Sequence, residues 1–552
     1  MIDSSWRSGV RMRYSVLIVV LAVSAMFGQT PQETGVFSGV LVDAVTGQPL
    51  AEASVRLEPG SSSVVLTDEL GRFEFHVASN ALQVLFAEKP RYLPLTLPGK
   101  TFSISPGIPV WLASGEGHQE AEFALVPSGS ISGRVVDSLG QGVQGVAVRL
   151  FRDWYHADGR LGPRWLESKL SDSRGQFSFN DMGPGDYGVR IEPDRAGIGD
   201  RTTTHFLPFY YPLASQTENA QMVRVVAGAN TRLDEIALPS QTIATLRLKA
   251  FDGSTSSQQP VQVFVQPSDE SGHSRSVRWG WLPPEGGVVG TLAQGSYDVS
   301  VEVATNEGRF FAHQSLSISE DTNATLQLPP SARVDGRVVR NDAITGSTPV
   351  SGIRFRLYDL RLSPDSYSDD GSFFNWNNRE STIVYSSSTD SLGTTSIPRL
   401  MPGTYRLALD PVPPGEYVSA IWAGGVDALT NSIRIEGGQE IEVEAHLAPA
   451  YGVSGVVTDG SGKSVPRAIV ALLAAGPREG AQSQWAGISD WDGQFALDVA
   501  PGSYYVFAWT DLPGAAYRNA TFMNEFDGLG TPIQVVAGGL SGLRVEVLAW
   551  PD

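Results

Sequence analysis

Ser489-Asp490-Trp491-Asp492-Gly493-Gln494-Phe495 decides how this chain is read, because the same corner returns three more times. It recurs as Thr67-Asp68 to Gly71-Arg-Phe73, as Ser171-Asp172 to Gly175-Gln-Phe177 and as Thr389-Asp390 to Gly393. Aspartate can close a turn on the backbone two residues on, and glycine supplies the positive φ a tight turn needs. The element reads as a hairpin corner. Asp68, Gly71, Asp172, Gly175, Asp390, Gly393, Asp490 and Gly493 are its turn residues, and phenylalanine is the first core residue of the next strand.

Two strands precede each corner. The first is led by glycine: Gly39-Val-Leu-Val-Asp43, Gly133-Arg-Val-Val-Asp137, Gly336-Arg-Val-Val-Arg340 and Gly455-Val-Val-Thr-Asp459. The second includes Ala53-Ser-Val55-Arg-Leu57 and Ala468-Ile-Val470-Ala-Leu472. Their alternation indicates half-buried strands with one face on a core. After the corner comes Gly-x-Tyr, at Gly185-Asp-Tyr187, Gly295-Ser-Tyr297, Gly403-Thr-Tyr405 and Gly502-Ser-Tyr504, opening a further strand. Each unit then stops at a proline, which cannot donate to a ladder. Pro127, Pro239, Pro329, Pro449 and Pro551 are spaced 112, 90, 120 and 102 residues apart.

Such spacing predicts an all-β chain, a tandem array of about five seven-stranded Greek-key β-sandwiches of prealbumin or immunoglobulin type. The expected units are 29–127, 128–239, 240–329, 330–449 and 450–552. The third lacks the opening glycine strand and the Asp-Gly corner, so it rests on Val261-Gln-Val263-Phe-Val265, Gly295-Ser-Tyr297 and its closing strand. Units of this length can each close a core, which predicts beads on short proline-containing links.

The order Gly-x-Val-x-Asp, Gly-x-x-Val-x-Leu, Thr-Asp-x-x-Gly-x-Phe, Pro-Gly-x-Tyr resembles the carboxypeptidase regulatory-like domain. That domain is similar in fold to transthyretin, to the B-type repeats of bacterial surface adhesins and to starch-binding-like domains. Units two and five match best, one and four in part, three poorly. The resemblance implies an accessory module in an exported bacterial protein. The peptidase domain and the outer-membrane barrel that accompany the module elsewhere have no counterpart here. The Lys-Asn crosslink of adhesin repeats is not expected, since unit four has no lysine and no opening strand carries one.

Composition agrees with export. Residues 1–28 read as a signal peptide, with Arg11 and Arg13 ahead of the apolar run Val16 to Val23 and small residues at Val23-Ser24-Ala25. The alternative is a retained anchoring helix, against which the run is short. Loss of the signal leaves no membrane insertion, and places the protein in the periplasm, at the cell surface or outside the cell. The chain has no cysteine, which excludes thiol catalysis, thiolate metal sites and disulfides. A net charge of -19 disfavours nucleic acid and anionic membranes as partners.

Catalytic signatures are missing: the seven histidines show no metal-ligand spacing, and there is no HExxH, GxSxG or P-loop. Asp490-Trp-Asp492-Gly493 and the run Asp365 to Gly371 resemble calcium loops faintly, without the full ligand pattern. No metal or other cofactor is expected, and no enzyme activity. What remains is aromatic enrichment in the connections: Trp154, Tyr155 and Trp165 in unit two, Trp279 beside Trp281 in unit three, Trp376 in unit four and Trp485 in unit five. Variable loops on a rigid sandwich are where binding residues sit. These aromatics either stack on sugar rings or fold back as lids over the cores. The chain thus reads as a non-enzymatic binding or structural protein with polysaccharide as first ligand class. The alternative is a passive envelope stalk or adhesin-like scaffold contacting other proteins.

Overall fold

A computed structural model describes residues 34–58, 64–78, 82–96, 107–111, 118–156, 159–193, 196–197, 205–251, 260–268, 278–305, 308–327, 331–342, 346–359, 384–476 and 484–549. The expected signal peptide and Trp376 lie outside these residues. The chain is all-β, a succession of small two-sheet sandwiches, each with its own apolar core. Among the described residues no helix is long and apolar enough to cross a membrane.

One topology repeats five times. In unit one the opening strand Thr34–Asp43 pairs antiparallel with Arg72–Ala78 and parallel with the closing strand His118–Leu125. Opening strands Gly129–Val136, Ile243–Phe251, Ala332–Asp342 and Tyr451–Thr458 each have the same two kinds of neighbour. The first and last strands of a unit are therefore adjacent. A second sheet covers them, containing the Gly-x-Tyr strand in units two to five and the strand Leu82–Glu88 in unit one.

The repeated residues have specific duties in this frame. The opening glycine and the corner phenylalanine are cross-strand partners: Gly39 faces Phe73, Gly133 faces Phe177 and Gly455 faces Phe495. In the first two pairs the ring tip reaches over the glycine, and a Cβ there would sit 2.5 Å from the ring carbon Cζ. Each corner aspartate accepts two backbone N–H groups through Oδ1. Asp172 takes those of Arg174 and Gln176, both at 2.8 Å, and Asp68, Asp390 and Asp490 do the same in their units. These Oδ1 atoms are held by their own turns, and the run Asp365 to Gly371 lies outside the described residues.

The Ser or Thr before each aspartate is buried and ties the corner to the turn just ahead of the second strand. Thr389 Oγ1 accepts from the Ile353 N–H at 3.0 Å and donates to the Val350 carbonyl at 2.8 Å; Thr67, Ser171 and Ser489 do likewise. The Gly-x-Tyr tyrosine ties back four residues. Tyr187, Tyr297, Tyr405 and Tyr504 donate to the carbonyls of Gly183, Ala293, Met401 and Ala500 at 2.7 to 2.9 Å. Burial pushes the hydroxyls of Tyr187, Tyr297 and Tyr504 above the usual tyrosine range, so they remain protonated donors. Replacing Tyr405 by phenylalanine leaves the Met401 carbonyl without this partner. The expected cost is about 1 to 2 kcal/mol, measurable as a lower urea midpoint for unit four.

Unit three has the same architecture with the parts exchanged. Its corner is Pro283-Pro284-Glu285-Gly286, closed by the Gly286 N–H on the Pro283 carbonyl at 2.8 Å, with Gly286 at φ +87. The strand glycine has moved to the partner: Leu246 on the opening strand faces Gly290.

Two sequence expectations need correction. The second-sheet strands of units two and five are buried along continuous runs, not on one face: Ala147 to Phe151, Val189 to Glu192, Val470 to Leu473 and Val506 to Trp509 are all buried. A second layer covers those sheets. In unit five it is Leu512, Ala516, Phe522, Met523 and Phe526, packed on Phe507 and Trp509, whose rings stack at 5.6 Å. Nor are the units independent beads. Ala196–Gly197 of unit two joins the edge of a unit-three sheet beside Arg278–Leu282. Leu207 of unit two packs on the unit-three core. Unit two also meets unit five across most of the chain. The Tyr155 N–H donates to the Pro513 carbonyl at 3.1 Å and the Ala515 N–H to the Tyr155 carbonyl at 2.9 Å. Asn519 Nδ2 donates to the Gly159 carbonyl at 2.9 Å. Tyr155 rests against Phe522 at 5.6 Å, so the second layer of unit five supplies the apolar surface that makes this clasp.

Candidate functional site

The aromatic residues singled out from sequence fall into separate places. Trp154 is buried: the Arg164 guanidinium lies 4.0 Å above its ring and Gly514 of unit five abuts its indole nitrogen. Tyr155, half-buried, forms the clasp. Trp165 lies on the outer face of unit two, 4.1 Å from the Arg149 guanidinium, covering a buried ion pair in which Arg149 and Arg190 share Glu192 at 3.3 and 3.2 Å. Trp485 is half-buried, packed on the unit-five core and edge-on to Tyr417 of unit four at 6.1 Å. These four serve packing because a large flat side chain near a second layer or a neighbouring unit gains more from burial than from exposure.

Trp279 differs. It is 45% exposed, and Trp281, two residues on along the strand Arg278–Leu282, is 57% exposed. Period-two geometry puts both on the outer face of the sheet, while Arg278 and Leu282 point inward. Phe264 stands opposite Trp279, Gln262 opposite Trp281 and Ser300 beyond Phe264. His313 completes that row across Ser300. One end of the face is apolar and aromatic. The other is polar and prearranged: Ser300 Oγ meets His313 Nδ1 at 3.1 Å, and Ser315 Oγ donates to Asp298 Oδ1 at 2.6 Å.

Ser300, His313 and Asp298 have the residue types of a nucleophilic triad, so their geometry needs weighing. His313 Nε2 is 3.9 Å from Asp298 Oδ1, too far for the hydrogen bond that orients a catalytic imidazole. The strand Gly295–Thr305 is paired on both sides, so its backbone N–H groups are spent in ladders and none lines an oxyanion hole. This arrangement is a polar rim on the sheet face. Sequence reading singled out Trp279 but not Phe264, Ser300 or His313, which only strand register brings beside it.

No family profile matches the chain, and no curated protein matches it. Among solved structures it is similar to the TIE protein of Bacillus anthracis, at 12% identity and TM-score 0.17 over 73% of this chain and 68% of that one. It is also similar to the minor pilin of Streptococcus agalactiae, at 16% identity and TM-score 0.22 over 37% of this chain and 97% of that one. The major pilin subunit of Bacillus cereus gives 10% identity and TM-score 0.14 over 58% and 99%. These likenesses assign no role to any residue of this chain.

Proposed function

We propose that this protein is an exported, non-enzymatic scaffold of carboxypeptidase regulatory-like sandwiches that binds polysaccharide on the outer sheet face of unit three. The observation that carries the reading is the exposed pair Trp279 and Trp281 on one strand, with Phe264 alongside and a polar rim at Ser300 and His313. Flat aromatic rings meet the C–H faces of sugars, and hydroxyl, amide and imidazole groups beside them accept and donate to sugar hydroxyls. A sheet face rather than a cleft suits a long polymer that passes over the unit.

The test is affinity electrophoresis of the intact protein through gels containing neutral soluble polysaccharides. Retardation is expected for at least one. Trp279→Ala with Trp281→Ala is expected to weaken it about tenfold or more, because exposed aromatic anchors dominate such contacts, with unchanged circular dichroism. Equal retardation of the double variant overturns the assignment of the face, and no retardation by any polymer overturns polysaccharide as the ligand.

A second reading, a scaffold that contacts envelope proteins, draws support from the clasp, which holds distant units in a fixed relation as a platform would. Specific capture of an envelope protein by a variant lacking both tryptophans would favour it.

A further inference from the structure

Phe264, on the outer face of unit three, stands between two glutamines. Gln262, Phe264 and Gln266 alternate along the strand Val261–Pro267, all half-buried, while Val261, Val263 and Val265 point into the core. Strand rise sets the two glutamine positions about 13 Å apart. Gln262 faces Trp281 across the ladder, and Gln266 faces Asp298 on the other side of the strand. The hydroxyls at the far end of the face meet polar neighbours, Ser300 with His313 and Ser315 with Asp298. The glutamines differ: among the described residues neither side-chain amide has a hydrogen-bond partner. A half-buried amide with its donor and acceptor both open is complementary to a ligand that supplies an acceptor and a donor. Among the outward residues of this face whose side chains are described, none is Lys or Arg, and Asp298 is acidic. An anionic polymer finds no cation there, in a chain of net charge -19.

We propose, resting on the assignment of this face to polysaccharide, that it selects a polymer whose rings carry acetamido groups, and that Gln262 and Gln266 read those groups. An acetamido group brings one donor, one acceptor and a methyl. Its N–H donates to a glutamine Oε1 or its carbonyl accepts from Nε2, and the end of the amide left over meets a ring hydroxyl. The methyl then lies against the aromatic ring beside that glutamine, Trp281 or Phe264 for Gln262 and Phe264 for Gln266. A hydroxyl in place of the acetamido group is shorter and has no methyl, so it forfeits the aromatic contact. An ammonium offers donors only, which leaves each Nε2 without an acceptor.

Isothermal titration of the intact protein with β-linked hexamers of N-acetylglucosamine, of glucosamine and of glucose tests this. The acetylated hexamer is expected to bind about tenfold or more tighter than the glucose hexamer, equally at low and high salt, whereas any attraction of the glucosamine hexamer fades as salt rises. Gln262→Met combined with Gln266→Met keeps chain length and half-burial on the strand. It is expected to bring the acetylated hexamer down to the level of the glucose hexamer and to leave the glucose hexamer unchanged. Trp279→Ala with Trp281→Ala is expected to weaken both. Equal binding of the acetylated and glucose hexamers, with both weakened in the tryptophan variant, overturns the acetamido selection and leaves the face standing. An acetamido preference that survives in the glutamine variant overturns the role of the glutamines. Affinities untouched in the tryptophan variant overturn the face itself, and with it this proposal.

Discussion

Alanine at position 175 is expected to destabilise unit two by about 3 kcal/mol or more, and alanine at position 493 to cost unit five only about 1 to 2 kcal/mol. Both glycines occupy the same place in the repeated corner, at φ +75 and +76, so both substitutions pay the left-handed backbone penalty. They differ in what a new Cβ meets. At Gly175 it would stand 2.1 Å from the Val135 carbonyl oxygen and 2.9 Å from the Gly142 Cα, all backbone. At Gly493 the nearest atoms are the Ser464 Cβ at 3.0 Å and the Val457 oxygen at 3.1 Å. Unit two has glycine where unit five has serine in the facing segment, so its chains approach more closely. Relief at Gly175 must lengthen the bond from the Val135 N–H to the Gly175 carbonyl, now 2.8 Å, which joins the opening strand to the corner. Hydrogen exchange reads both units in one experiment. Protection should fall much further over 129–136 in the first variant than over 451–458 in the second. Equal losses would show that the closer approach in unit two carries no energetic weight.

Valine at Gly514 is expected to release unit five from unit two while leaving both folded. Gly514 has φ +69, and a Cβ there would lie 2.1 Å from the Tyr155 carbonyl oxygen and 2.4 Å from the Trp154 indole nitrogen. The clash lies in the clasp itself, where the Ala515 N–H meets the same carbonyl. Gly159→Val attacks the clasp from the other side, since its Cβ would be 2.6 Å from the Arg518 carbonyl carbon. Both variants should lose amide protection at Tyr155 and Ala515, keep it in the cores and increase the radius measured by small-angle scattering. Release from either side separates loss of the clasp from damage to one unit. Retention of the parent radius by both would mean that other contacts hold the units together.

The fold was legible where its causes are local. Alternating strands and glycine-tyrosine starts are short-range chemistry, and they are enough to give an all-β tandem array. Unit three was obscured because its parts are permuted: proline replaces aspartate at residue 283, and the strand glycine sits at 290 rather than opposite it. Tyr405 could be read as a strand opener, but its hydroxyl's partner four residues back depends on how the preceding turn lies. Part of the second layer was visible and read otherwise. Ile469 to Ala474 is a continuous apolar run, the mark of a strand covered on both faces. The fate of the aromatics could not be read. Trp154 and Trp279 are the same residue type in similar contexts, and only strand register and the approach of Gly514 bury one and expose the other.

That folding back is the central claim, and the absence of cysteine makes it directly measurable. Spin labels on Leu161→Cys, 50% exposed on unit two, and on Ala520→Cys, exposed on unit five, would stand beside the bond from Asn519 to the Gly159 carbonyl. Pulsed electron paramagnetic resonance of the doubly labelled protein should give one short, narrow distance. A broad distribution at long separation, as an open string with units three and four between the labels would produce, would contradict the account.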